Sequence, residues 1–339
     1  MEAVKYFVLT LLFLLLSSLL LFGFVLVFIF SPQQQKPQSV EVKVERGEPF
    51  SSVVRNLKDR GVIQNERLFS LWARLWATDR QIHWGLYRFE LPLSLQEILD
   101  QMRLGRGVFY RVTIREGLTL KEIADLLEKE GVAKRDQFLK DASDPGLLSH
   151  AGLAADGFEG YLFPDTYYFT PFVTEREILV TMTTQFRRAF TSEMRLRARE
   201  IGLNLHEVVT LASLIEKEAG VDEERPLVSA VFHNRLKKKM LLQSDPTVIY
   251  GLKNFSGDLT RKDLQNRNPY NTYRILGLPP APICSPSFAS LMAALYPAPV
   301  PYLYFVSKND GTHLFSVNFN EHDRAVKAYQ SKRRPLAKP

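Results

Sequence analysis

The sequence has a single cysteine, Cys284, among 339 residues, so no internal disulfide can form and packing must stabilise the fold in any redox compartment. Cys284 itself is expected to be a small buried residue without chemical function. The 6 histidines lack metal-ligand spacing, and the sequence has no H-E-x-x-H, no C-x-x-C and no phosphate-binding glycine loop. Ser213 lacks the G-x-S-x-G context of an esterase. No metal, nucleotide or other cofactor is therefore predicted.

Acidic residues are the minority among the charged ones, with 37 Asp and Glu against 44 Lys and Arg. The net charge of +7 predicts a basic surface, which suits nucleic acid, anionic lipid or an acidic polymer, and the sign alone does not choose among them. No nucleic-acid recognition motif occurs, and the export predicted below would separate the chain from DNA, so nucleic-acid binding is not expected.

One long stretch has no charge at all, the run of Leu, Phe and Val from Tyr6 to Phe30. As a helix, its roughly 25 residues would span about 37 Å, enough to cross a bilayer core of about 30 Å. A cleaved signal peptide is the alternative, but its apolar region is shorter and no A-x-A-like site follows the run. Lys5 and the α-amino group favour a cytoplasmic N-terminus. The sequence thus predicts a single-pass protein of the cytoplasmic (inner) membrane, with its bulk outside, in the periplasmic or extracytoplasmic space.

A strand-turn-helix pattern occurs twice after a Gln- and Pro-rich tether. In the first copy, alternating valines precede Gly47 and an amphipathic helix ends at Gly61; in the second, Gly117 and Gly131 keep the same separation. Equivalent apolar positions are Phe50 and Leu120, Val53 and Ile123, Leu57 and Leu127, and Val62 and Val132. Further predicted elements are helices at 68–76, 95–103 with Ser94 as N-cap, 175–201 and 206–220, and strands at 85–90 and 302–307. Repeated small binding modules are the natural interpretation.

Three tryptophans, Trp72, Trp76 and Trp84, could stack on sugar rings, but their spacing favours a place in the core. From Gly157 the sequence changes to loops with embedded aromatic residues, which predicts a domain junction.

Two carboxylates stand where the core face of an apolar helix is expected, Glu216 and Glu218 in the segment LASLIEKEAG. Residues two apart on a helix point about 200° apart, so the two cannot serve one site from this helix. Glu216 shares its face with small residues that would leave room for a ligand. The negative end of the helix dipole is expected to raise the pKa of both, which suits a general acid. Surface ion pairs are the alternative interpretation.

Polar groups cluster in two loop-like segments, 243–251 and 270–280. Their amides, hydroxyls and aromatic rings are suited to hold sugar hydroxyl and N-acetyl groups, although turns and helix caps would use the same residues. The candidates for substrate binding are Gln243, Asp245, Tyr250, Asn271 and Tyr273, together with Glu218.

Several ordered blocks make the chain resemble the endolytic murein transglycosylases, the YceG-like proteins. These blocks are GYLFPDTYY (160–168), LASLIEKE (211–218), VFHNRL (231–236), LQSDPTVIYG (242–251), YNT with GLPP (270–280) and PYLYFV (301–306). The resemblance implies an α+β fold with an N-terminal transmembrane helix, a lysin-motif-like α/β region and a C-terminal mixed α+β catalytic domain. The family's catalytic glutamate is taken to correspond to the first Glu of EKE, which is Glu216. Relatives often have an apolar or aromatic residue in place of His233, and no function is attached to that difference.

The domain boundaries expected on this basis are a cytoplasmic head 1–5, a transmembrane helix 6–30, a tether 31–39, a lysin-motif-like region 40–156 with repeats 44–69 and 114–138, a catalytic domain 157–333 and a tail 334–339.

The resemblance implies a lyase that cleaves the MurNAc-GlcNAc bond of nascent peptidoglycan near the membrane, leaves 1,6-anhydro-MurNAc ends and limits glycan length. Glu216 would serve first as acid and then as base, with Gln243, Asn271 and Tyr273 positioning the glycan. One alternative is a muramidase with Asp245 as second carboxylate. The other is a non-catalytic wall-binding anchor. Candidate partners are glycan strands, the membrane, and peptidoglycan synthases or division machinery.

Overall fold

A computed structural model of the chain describes residues 2–32, 36–153, 155–255 and 257–330. The predicted tail, the last residues of the predicted catalytic domain, Met1 and residues 33–35 of the tether lie outside this description. The contacts divide the chain into two units, 1–110 with 168–172, and 111–167 with 173–339. The contacts therefore do not divide the chain at the predicted junction, 156/157. The second copy of the repeat, 114–138, belongs to the same unit as the residues that follow it.

The N-terminal apolar run forms helix α1, Glu2–Phe30. Within it, Leu9–Phe30 has a mean hydropathy of 2.9 and is 22 residues long, sufficient by length and composition to cross a membrane. Most of its large side chains are exposed, whereas Ile29 is buried in the core of the first unit. The prediction of one N-terminal apolar helix is confirmed, and its place in a membrane stays a prediction.

The first unit is built on an antiparallel pair of strands, β1 (Gln38–Val44) and β2 (Gly85–Leu91), in which Val42 lies opposite Tyr87. Alternate residues of each strand face the core, so Val42, Val44, Tyr87 and Phe89 are buried. The helices of this unit after α1 are α2 (Phe50–Asp59), α3 (Glu66–Leu75) and α4 (Leu95–Arg103). Ser94 caps α4 in a capping box with Glu97, as its position before an apolar helix predicts.

The two copies of the predicted repeat have similar local structures. In the second copy, β3 (Tyr110–Thr113) precedes α5 (Leu120–Lys129), which has the length of α2 and begins at the equivalent residue. All four repeat glycines have positive φ, from 70 to 78°, a conformation that glycine adopts without the strain of a Cβ. The apolar positions 53, 57 and 62 of the first copy and 123, 127 and 132 of the second are all buried. The two copies share the same order of strand, glycine turn and helix. Their identity as lysin-motif-like modules stays a prediction.

After α5, the chain forms the buried helix α10 (Leu205–Glu218) and a set of further helices and strands. They are α6 (Arg135–Asp141), α7 (Pro145–His150), α8 (Glu175–Ala189), α9 (Ser192–Glu200), a short 3-10 helix (Asp222–Glu224), α11 (Arg225–Lys237), α12 (Asp245–Gly251), α13 (Arg261–Gln265), α14 (Phe288–Leu295) and α15 (Phe319–Tyr329), with strands β4 (Thr166–Phe169), β5 (Tyr304–Ser307) and β6 (His313–Ser316). Strands β5 and β6 form an antiparallel hairpin. The predicted α+β class is confirmed.

Two sequence-based expectations differ from the structure. The helical stretch expected at 175–201 is two helices, because Phe190 leaves the helical conformation and Thr191 caps α9. Of the three tryptophans expected in the core, Trp72 is buried, but Trp76 and Trp84 are 64% and 42% exposed. Helical spacing places Trp76 next to Trp72 in an edge contact without giving it a place inside the core.

Candidate active site

Helix α10 carries the two candidate carboxylates on a scaffold that is buried on every side. Asn204 and Glu207 form the capping box at its start, and all residues from Val208 to Ile215 are buried. Ser213 is used inside this core, since its hydroxyl donates to the Thr210 carbonyl and accepts from the Ile283 backbone N–H. Cys284 is buried beside it, and burial raises the pKa of its thiol, as expected for an inert cysteine. The last turn of a rigid helix therefore positions Glu216 and Glu218.

Glu218 lines a cavity of about 510 Å³. The Ser244 hydroxyl donates to Glu218 Oε1 over 2.6 Å. The pKa of Glu218 is raised to about 7, chiefly by burial and also by the Asp245 carboxylate, against the opposing effects of the hydrogen bond from Ser244 and the charge of Arg235. The rise was expected from the helix end, but its main cause is burial. A carboxyl group that holds its proton near neutral pH is suited to general-acid chemistry.

Glu216 points to the opposite side and its carboxylate is occupied. The Ser287 backbone N–H and hydroxyl donate to its Oε2 over 2.8 and 2.5 Å, and Arg225 Nη1 lies 3.1 Å from the same oxygen. Its side chain is 7% exposed and is not among the residues that line the cavity. Glu218, and not Glu216, therefore borders this cavity, and a catalytic role for Glu216 stays a prediction.

The cavity is lined by residues from several elements of the second unit. Glu218 comes from α10, the segment after α11 contributes Leu242 and Gln243, and Asp245 begins α12. An aromatic wall comes from the β5–β6 hairpin and α15: Tyr304, Phe305, His313, Phe319 and His322. Polar groups together with aromatic rings are the combination that carbohydrate sites use, because a pyranose ring has polar edges and apolar faces.

Arg235 holds two of these parts together. Its guanidinium donates to the carbonyls of Leu303, Leu241 and Leu242 and to Gln243 Oε1. Although buried within α11, it lines the cavity, and burial lowers its pKa. Gln243 has a positive φ of 52°, an unfavourable backbone conformation for a residue with a Cβ, and these hydrogen bonds help to hold it.

Three of the predicted substrate-binding residues besides Glu218 do line the cavity: Gln243, Asp245 and Tyr273. The Tyr273 hydroxyl donates to Asp245 Oδ1 over 2.6 Å, so these two side chains form one polar unit. Burial and this hydrogen bond raise the pKa of Tyr273 far above its ordinary range, so the phenol keeps its proton.

Tyr250 and Asn271 do not line this cavity, and their part in substrate binding stays a prediction. The Tyr250 hydroxyl donates to Glu159 and its ring packs on Tyr270. Asn271 is fully buried, and its amide donates to the carbonyls of Leu264 and Asn266. Both residues therefore stabilise the local structure near the cavity residues. This agrees with the alternative that the sequence left open, in which such residues serve in turns and helix caps.

Sequence reasoning missed the residues of the aromatic wall and Arg235. An arginine inside the apolar helix segment VFHNRL was a signal for Arg235, because a buried guanidinium needs several acceptors. His313 and His322 gave no such signal, since they lie about 100 residues from Glu218 and only the folded chain brings them to the same cavity.

Comparison with known proteins agrees with this architecture. The sequence matches the YceG-like family over residues 42–328, most of the chain. The chain belongs to the YceG-like family. A member from Bacillus subtilis, named endolytic murein transglycosylase, is 30% identical over 314 residues, 88% of this chain and 87% of that protein. The predicted family is therefore confirmed.

Two further relatives support the assignment. A protein of the same name from Streptococcus pneumoniae serotype 2 is 27% identical over 319 residues, 85% of this chain but 58% of that longer relative. The crystal structure of a yceG-like protein from Listeria monocytogenes superposes with a TM-score of 0.59 at 31% identity, covering 84% of this chain and 98% of that one. Family membership thus includes the fold.

Proposed function

We propose that this protein cleaves the MurNAc-GlcNAc bond inside nascent peptidoglycan strands, anchored in the cytoplasmic membrane by α1, with Glu218 as its general acid. The predicted enzyme class, a lytic transglycosylase, is confirmed by the relatives named above. The single observation that carries the assignment of the acid is the cavity position of Glu218 together with its raised pKa.

The reaction needs a proton for the leaving oxygen and no attacking water. Glu218 donates its proton to the glycosidic oxygen as the bond to C1 of MurNAc breaks. The substrate's own C6 hydroxyl oxygen attacks C1, which gives a 1,6-anhydro-MurNAc end, and the acetamido group stabilises the positive charge at C1. The simplest scheme returns the C6 hydroxyl proton to the Glu218 carboxylate. The polar unit of Asp245 and Tyr273 and the amide of Gln243 hold the sugar.

An N-terminal anchor would keep the cavity within reach of strands that leave a synthase at the membrane surface. The length and apolar composition of α1 support this geometry. Cutting close to the membrane would limit glycan length, and synthases or the division machinery are the partners that would benefit from proximity.

The test compares the detergent-solubilised full chain with Glu218→Gln and Glu216→Gln on purified glycan strands. Loss of the general acid in Glu218→Gln is expected to lower the rate at least about 10²-fold. Glu216→Gln tests the alternative directly, since a catalytic Glu216 would produce the larger loss there. Equal rates for wild type and Glu218→Gln would contradict the assignment.

Mass spectrometry of the products separates the lyase from its two alternatives. Anhydro ends without incorporation of labelled water oxygen support the lyase, whereas reducing ends carrying the label would identify a muramidase with Asp245 as the second carboxylate. A chain that binds strands without shortening them would be a non-catalytic anchor. Internal cleavage is recognised by an early fall in mean strand length, before short products accumulate.

A further inference from the structure

His313 sits in the aromatic wall of the cavity and is held by a carboxylate. Its Nδ1 lies 2.7 Å from Glu224 Oε2, and its backbone N–H donates to Glu224 Oε1 over 2.9 Å. The side chains of both residues are 12% exposed. Both oxygens of one carboxylate therefore fix this residue, through its ring and through its backbone.

The contact with Glu224 defines which nitrogen of His313 is available. A carboxylate is an acceptor, so Nδ1 carries a proton and donates it to Glu224. In the neutral ring, Nε2 then has a free lone pair. Within residues 2–32, 36–153, 155–255 and 257–330, Nε2 makes no hydrogen bond with another protein group. A base oriented by a carboxylate on its other side is the arrangement that hydrolases use to accept a proton from a hydroxyl group.

The backbone ties His313 to the helix that carries Glu218. A Cβ on Gly220 would clash with the Gly311 carbonyl oxygen, so the end of α10 and the tip of the β5–β6 hairpin touch directly. Glu218 is two residues before this contact and His313 two residues after it. Because His313 also pairs with Ser307 across the hairpin, both side chains stand on fixed backbone at the same cavity.

We propose that His313 is a second catalytic residue, which accepts the proton of the C6 hydroxyl while Glu218 donates a proton to the leaving oxygen. The proposal rests on the function proposed above and replaces the return of that proton to Glu218. The hydroxyl proton passes to Nε2, the bond from O6 to C1 forms, the bond from C1 to the glycosidic oxygen breaks, and that oxygen takes the proton of Glu218. The cycle leaves a protonated His313 and an ionised Glu218, and proton exchange with water restores both.

This division of labour changes the pH dependence of the rate. With two groups, the rate falls at high pH, where Glu218 loses its proton, and also at low pH, where His313 is protonated and cannot accept another. With Glu218 alone, the low-pH fall is absent. The other titratable and charged groups that border this cavity are Arg235 from α11, Asp245 from α12, Tyr273, Tyr304 from β5 and His322 from α15, with Glu224 from the 3-10 helix behind the ring.

The variant His313→Asn separates catalysis from structure. The amide nitrogen of asparagine can take the place of Nδ1 and donate to Glu224, while nothing replaces Nε2. His150→Asn is the matched control, since it removes an exposed imidazole of the same unit away from the cavity. The full chain in detergent is assayed on purified glycan strands across pH, with kcat and KM determined separately.

We expect His313→Asn to lower kcat about 10²-fold with a KM near that of wild type, and to abolish the low-pH fall. A kcat and pH profile equal to those of His150→Asn would overturn the proposal. If His313→Asn does not fold, Glu224→Gln provides the second measurement. It keeps an acceptor for Nδ1 but removes the charge, so kcat should fall while KM stays; an unchanged kcat would equally overturn the proposal.

The two proposals fail in different ways. If wild type cleaves strands and Glu218→Gln does not, while His313→Asn behaves like wild type, the role of His313 alone is refuted. If wild type releases no fragments from any glycan, the proposed function fails and the role of His313 fails with it.

Discussion

Glu218→Gln should inactivate the enzyme and, at alkaline pH, stabilise it. In the unfolded chain the Glu218 carboxyl titrates near its ordinary value of 4.5, and in the folded protein burial raises the pKa to about 7. Between these values the folded state holds one proton more than the unfolded state, so raising the pH favours unfolding. The favourable contribution is complete below pH 4.5 and is lost as the pH rises through 7. Above pH 7, the folded protein carries a buried charge that glutamine does not have.

The size of the effect follows from the shift. Moving the pKa from 4.5 to about 7 corresponds to about 3 kcal/mol of unfolding free energy. For a unit of this size, that is an increase in melting temperature of roughly 6 to 12 °C at pH 8. At pH 4 the variant gains nothing, because the wild-type carboxyl is protonated in both states. The side-chain carbonyl of glutamine can still accept the hydrogen bond from Ser244, so we expect no loss of stability from that contact.

The assay is thermal unfolding of the full chain in detergent at pH 4 and pH 8, for wild type, Glu218→Gln and Glu216→Gln. The pKa of Glu159 is also raised to about 7, but this residue is present in every variant, so its contribution cancels in the differences. Glu216→Gln should lower the melting temperature at pH 8, since it removes the charge paired with Arg225 and costs about 1 to 3 kcal/mol. Equal melting temperatures for wild type and Glu218→Gln at pH 8 would refute the burial argument.

Three further predictions concern residues around the cavity. Asn271→Ala should lower stability by about 1 to 3 kcal/mol in thermal unfolding, because the carbonyls of Leu264 and Asn266 lose their donor. Tyr273→Phe should raise KM for glycan strands, whereas Tyr250→Phe, which removes a hydroxyl outside the cavity, should leave KM unchanged. Gly220→Ala should lower the cleavage rate by displacing the hairpin that carries His313, and a wild-type rate in that variant would contradict the close contact.

Local features of the sequence were enough to predict many elements. The helix at 95–103 begins after its predicted cap, Ser94, because a serine before an apolar periodic segment is a local signal. The repeat was visible because turns that need glycine recur at the same separation, and the structure gives all four glycines a positive φ. Trp76 shows the limit of such local prediction. Helical spacing gives the direction in which its side chain points, but not whether another element covers that side chain.

The sequence by itself determined that Glu216 and Glu218 face opposite sides, because two residues on a helix differ by about 200°. Only the tertiary structure decided which side is the cavity. Residues Val208 to Ile215 of α10 are all buried, so no contrast between an apolar and a polar face marks the open side. The choice depends on what each carboxylate meets: Arg225 and Ser287 occupy Glu216, whereas Glu218 meets an open space lined by Arg235, Tyr273 and the aromatic wall. Those neighbours are distant in sequence, and only folding brings them together.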